Sequence, residues 1–121
     1  MESPNLGEKM EKTISIANNF NKFPAGRYLT DGPYSGEQFR TEYLVPLLNN
    51  KEISILKVSL DGLGGVGSSF WDEAFGGLIL KEKIPYDIIK QKLQLICEED
   101  NALSSLVWGY IEEAKEVSNG Q

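Results

Sequence analysis

A chain of 121 residues, 40% hydrophobic and 25% charged, has the composition of one ordinary globular domain. Its formal net charge of −6 argues against nucleic acid and anionic membrane surfaces as general partners, because both call for a basic face. Histidine is absent, so an imidazole base, a Ser–His or Cys–His pair and the usual zinc ligand set are unavailable. No metal, no cofactor and no enzymatic chemistry are therefore expected. The one cysteine, Cys97, cannot form an internal disulfide and lies in an apolar run, as a buried, inert thiol would. No run approaches the ~20 apolar residues of a membrane span. The polar start MESPNLGEKMEK has no signal-peptide core, so a soluble, cytoplasmic protein is expected.

In chain order, residues 1–12 read as a loose lead-in, 13–117 as the domain and 118–121 as a frayed tail. Thr13 to Ala17 alternates, with Ile14 and Ile16 on one side, which predicts a half-buried strand. NNFNKFPAG, 18–26, is turn chemistry with Phe23 expected inside. Arg27 to Thr30 is expected to pair back as a second strand, closed by the turn Asp31-Gly32-Pro33. Ser35 and Gln38 form a capping-box pattern that starts a helix. Phe39, Tyr43, Leu44, Leu47 and Leu48 are its inner stripe, and Pro46 should kink or end it near Val45.

Glu52 to Leu80 organises the rest. Ile53, Ile55, Leu56, Val58 and Leu60 predict a central strand. DGLGGVG then places four glycines in seven residues, which no regular element tolerates. Ser68 or Ser69 can cap the following helix, and with Ser69 as cap, Asp72 and Glu73 fall in its first turn, where the helix dipole favours them. Phe70, Ala74, Phe75 and Leu78 form its apolar face. Ile84-Pro85 interrupts, and Pro85 opens a short helical turn through Ile89. Lys92 to Cys97 alternates as a strand. Asp100 or Asn101 caps a last helix, whose stripe is Leu103, Leu106, Val107, Tyr110, Ile111 and Ala114. Strands separated by helices predict an α/β fold with a small, mixed, four- to five-stranded sheet and helices mainly on one face.

Gly62, Gly64 and Gly67 fit G-x-G-x-x-G between a strand and a helix, the context in which backbone N–H groups can hold a phosphate. A tight backbone connection explains the same glycines. Arg27, Asp31 and Arg40 can gather an anion, or form structural ion pairs and bonds to the Asp31–Tyr34 turn. Trp71 and Trp108 fit either the core or a partner surface. Six acids against Lys115 between Glu98 and Glu116 fit a solvated face, or docking of a basic partner.

The stretches PAGRYLTDGPYSGEQFR and GSSFWDEAFGGL resemble the bacterial STAS-like family of unknown function, related to the anti-sigma factor antagonists. The resemblance runs from about Ile14 to Ala114. It implies a regulatory interaction module that binds a protein partner, such as a histidine-kinase-like ATPase. In the antagonists that ATPase phosphorylates a serine at the start of the second helix. By position that serine is Ser68, followed by Ser69. Gly67 stands where the antagonists have an acid, and Phe70 where they have a small residue. The candidate contact surface is Asp61, Gly62, Gly64, Gly65, Gly67, Ser68, Ser69, Phe70 and Trp71. A phospho-switch at Ser68 or Ser69, and nucleotide or small-anion binding by the loop, are the alternatives.

Overall fold

A computed structural model describes residues 10–120. Strands β1 (Glu11–Ser15), β2 (Ile55–Ser59) and β3 (Leu93–Ile96) form a sheet in the order β1-β2-β3. Both pairings are parallel, and the register sets Ile14 beside Val58 and Val58 beside Leu95. Leu56, Val58 and Leu60 are fully buried while Ile55, Lys57 and Ser59 are partly exposed, so the two faces of β2 differ as the period of two requires.

Among the described residues the sheet is thus smaller and simpler than the sequence predicts: three parallel strands rather than a mixed four or five. The expected second strand at Arg27–Thr30 does not form. Asp31 Oδ2 accepts from the N–H groups of Arg27 and Tyr28, at 3.0 and 2.8 Å, and Leu29–Asp31 is a tight 3₁₀ turn. Those donors are therefore unavailable to a ladder. The flanking backbone fastens instead to the start of the next helix, through Gly36 N–H to Gly26 O and Glu37 N–H to Arg27 O. Glu11 and Lys12, assigned to the lead-in, belong to β1, whereas residues 1–9 lie outside the described residues.

Helix α1 covers residues 36–48 and α2 residues 68–80, each with a wide π-type turn in its middle, Arg40–Leu44 and Asp72–Gly76. Ser35 caps α1 as expected, accepting from Gln38 N–H at 3.1 Å. Pro46 does not end it. Val45 N–H bonds Arg40 O, five residues back, and the widened turn directly ahead accommodates a residue without an N–H. Helix α3 (Tyr86–Lys92) leads into β3, and α4 (Asn101–Asn119) closes the fold, capped by Asp100 through Ala102 N–H and reaching two residues past the expected end near Val117.

Helix α2 is the centre of the packing. It touches α1 on one flank and α4 on the other, and Phe70, Ala74, Phe75 and Leu78 are fully buried. Phe39 of α1 lies 6.2 Å, ring to ring, from both Phe70 and Phe75. Phe20 fills the position expected of Phe23, packing against Phe39, Tyr43 and Tyr34. Phe23 itself is 67% exposed.

The two helices approach closely at Gly36, where a Cβ would sit 2.6 Å from the Phe70 carbonyl oxygen and 3.1 Å from Ala74 N. Those neighbours are backbone and cannot swing aside. Gly36→Ala should therefore lose about 1–3 kcal/mol through overpacking, although the same change normally strengthens a helix. Urea unfolding checks it, and an unchanged or raised midpoint would contradict the close approach.

Candidate functional site

The glycine corner stands at the carboxyl ends of the strands, where loops of α/β sheets gather ligands. Leu60 N–H bonds Ile96 O at 2.8 Å, which ends the β2–β3 pairing, and the chain then turns. Gly62 has φ +82°, a conformation that favours glycine. Its N–H donates to Glu99 Oε1 at 3.0 Å, and Gly64 N–H donates to Lys22 O at 3.0 Å. A side chain at Gly64 would collide with the ring of Phe23. The loop is therefore tied on one flank to the segment after β1 and on the other to the segment after β3.

Asp61 positions the turn after β3. Its carboxylate accepts from Glu98 N–H at 3.1 Å and Glu99 N–H at 2.9 Å, and the Cys97 thiol donates to it at 3.3 Å. The backbone bonds from Glu99 and Glu98 hold the Asp61 carboxyl below the usual carboxylate range. Burial, with Asp61 beside it, pushes the Cys97 thiol up, away from thiolate reactivity.

Helix α2 begins at Ser68, and its cap is Gly67, which offers no side chain. Neither serine caps it, contrary to expectation. Ser68 is exposed and Ser69 half-buried. The structure divides the expected contact residues. Gly62, Gly65, Gly67 and Ser68 are at the surface, with Asp61, Gly64 and Ser69 partly so. Phe70 and Trp71 are 0% and 2% exposed and form part of the core, because their side chains turn inward under α1 and the loop. Neither side chain stands out from the surface, although Trp71 lines the bottom of a cleft beside the loop.

Arg27 and Arg40, the chain's two arginines, converge on a residue assigned only a helix-dipole role in the sequence, Glu73. Arg40 Nη1 donates to Glu73 Oε2 at 2.8 Å and to Glu73 O at 2.6 Å, while its Nε reaches Glu82 Oε2 at 2.8 Å. Arg27 pairs with Asp72 at 2.7 Å, which raises its pKa, and Lys81 approaches Glu73 at 3.2 Å. Burial opposes the charge on Glu73, but Arg40 and Lys81 outweigh it and hold the carboxyl below its ordinary value. Asp31 stands apart, holding the 27–31 turn. Every cation of this cluster has a carboxylate partner, so it clamps α1 to α2 and leaves no anion site. The pairing of the only arginines with the acids of the second helix was the available signal, but the partners lie 33 (Arg40–Glu73) and 45 (Arg27–Asp72) apart in sequence.

Beside the loop lies a cleft of about 270 Å³, bounded by the glycine loop, the core residues Leu60, Trp71 and Cys97, and the start of α4. Among the described residues no cluster of side chains could hold a metal ion, and no helix is long and apolar enough to cross a membrane.

Fold and corner together define an α/β module whose one well-formed feature is a surface loop leading into a buried helix. The family model for the STAS-like domain of unknown function (DUF4325) matches residues 35–101, more than half of the chain, and the chain belongs to that family. The match takes in α1, β2, the glycine loop, α2 and β3. Comparisons with curated proteins and with solved structures returned no match.

Proposed function

We propose that the chain is a non-enzymatic regulatory module that binds a protein partner through the glycine loop and the exposed start of α2. The observation that supports this reading is the loop itself, hydrogen-bonded on both flanks yet open to solvent at Gly65, Gly67 and Ser68. An exposed loop tied in this way loses less entropy when a partner closes over it. Phe70 and Trp71, buried, support the surface from beneath.

Gly65 and Gly67 allow a direct test, since a Cβ at either meets nothing within 4 Å and neither has a positive φ. Gly65→Trp and Gly67→Trp should fold normally, with unchanged urea midpoints. Each should weaken capture of the partner by about tenfold or more, as a block at the centre of an interface does. Capture indifferent to both would remove the proposal.

A second reading is phosphorylation of Ser68, favoured by its exposure at the first residue of α2. Asp72, one turn on, is paired with Arg27, which lessens its repulsion of a phosphoryl group. Mass spectrometry after incubation with ATP and a histidine-kinase-like ATPase that binds the chain decides it, and Ser68 and Ser69 both unmodified would end it. Nucleotide binding is less well supported. The N–H groups of Gly62 and Gly64 are already bonded, and Glu99 and Asp100 put negative charge beside the loop.

A further inference from the structure

We infer that the cleft between the glycine loop and the start of α4 receives a basic segment of the partner, one large apolar side chain flanked by lysine or arginine. The inference rests on the reading of the chain as a partner-binding module and names the chemistry of what binds. The floor of the cleft is Trp71 and Cys97, and Leu63, Val66 and Leu103, all half-buried, form its walls. At about 270 Å³ it is roomier than the ~150 Å³ cavity that holds benzene, so an aromatic or branched aliphatic side chain fits.

The rim gives the occupant its charge. Glu99 and Asp100 line the cleft; Glu98, exposed, precedes them in sequence, and Asp61 accepts from the Glu98 and Glu99 N–H groups. Glu99 Oε1 accepts from Gly62 N–H and Asp100 Oδ1 from Ala102 N–H, which leaves each a second oxygen. None of the ion pairs among the described residues involves Asp61, Glu98, Glu99 or Asp100. Lys22, whose carbonyl receives Gly64 N–H, is not among the residues that line the cleft. An apolar slot edged by uncompensated carboxylates complements an apolar anchor with cations beside it, and repels an acidic one.

The test uses the full chain, isotope-labelled, and two acetylated hexapeptides with one apolar core, KRFLKK and EEFLEE. Titration followed by amide chemical shifts should move Leu63, Gly65, Glu99 and Leu103 with KRFLKK and leave them still with EEFLEE. Glu98→Lys, a change at an exposed side chain, should weaken KRFLKK about fivefold at low ionic strength, and added salt should weaken it further. No shifts with KRFLKK, equal shifts with both peptides, or shifts confined to the outer acids of α4 (Glu112, Glu113, Glu116) would overturn the inference. If partner capture is lost in Gly65→Trp but is indifferent to Glu98→Lys, the cleft fails and the module reading stands. If KRFLKK binds the cleft while capture ignores Gly65→Trp and Gly67→Trp, the module reading fails instead.

Discussion

Arg40→Ala is expected to destabilise the fold by about 3 kcal/mol, the low end of the cost of removing the buried partner of a buried charge. Arg40 is 3% exposed and Glu73 4%, and the pair joins α1 to α2 at the middle of both helices. Removing the guanidinium leaves the buried Glu73 carboxylate only the more exposed Lys81 at 3.2 Å and Arg27 at 3.6 Å, and also frees Glu82 and the Glu73 carbonyl. Against a total of about 5–15 kcal/mol for a domain, such a loss moves the urea midpoint far down. Arg40→Met with Glu73→Gln should recover part of it, because no net charge is then buried without a partner. The acid limb carries the same signature. Glu73 has a lower pKa folded than the ~4.3 of an unfolded glutamate, so its contribution is complete above that pH and is lost as pH falls through the folded value. In Arg40→Ala the largest interaction favouring the Glu73 carboxylate is gone, so less stability is lost as that group protonates and the gap between variant and wild type should narrow toward acid. A loss below about 1 kcal/mol, the range of a surface pair, would mean that Arg40 and Glu73 are solvated.

Trp71→Ala is the second large effect, about 3–5 kcal/mol, from lost apolar burial and the cavity left behind. Trp71 is 2% exposed and packs edge-on to Phe70 at 5.3 Å and tilted against Phe75 at 6.0 Å. It also floors the cleft, so its loss should deepen that opening. Urea unfolding of Trp71→Ala followed by circular dichroism gives the stability change, and the fluorescence of Trp108→Phe, whose one tryptophan is Trp71, gives the environment of that ring. Emission of Trp108→Phe should be blue-shifted and should move red only on unfolding. A tryptophan anchoring a partner from the surface would give the reverse, a small stability change with emission already red.

Much of the fold is legible in local pattern. Leu56, Val58 and Leu60 alternate and β2 follows. Ser35 and Asp100 lie where an oxygen can reach the free N–H groups of a helix, and both do. The mistaken readings share one cause. Arg27 to Thr30 has a strand-like composition, yet Asp31, four residues on from Arg27, claims the backbone donors. Phe20 and Phe23 are equivalent to any local rule, and only the space beside Phe39 and Tyr43 distinguishes them. Ser68 and Ser69 resemble caps, but the backbone already lies extended at Gly67 and the helix starts there.

At the corner, composition alone announced a sharp turn from a buried strand into a helix, because four glycines in seven residues admit no regular element. It did not reveal which glycines were needed: Gly62 for its φ, Gly64 for the ring of Phe23, and Gly65 and Gly67 for neither. The α/β alternation, the helix faces and the relation to the STAS-like family follow from residues within one or two turns of each other. The number and direction of strands, the Arg40–Glu73 clamp and the acid-rimmed cleft depend on residues 33 or more positions apart, which meet only once the chain has packed. Hydrogen-bonding propensity and periodicity act over a few residues, whereas burial and ion pairing answer to whatever the fold brings alongside.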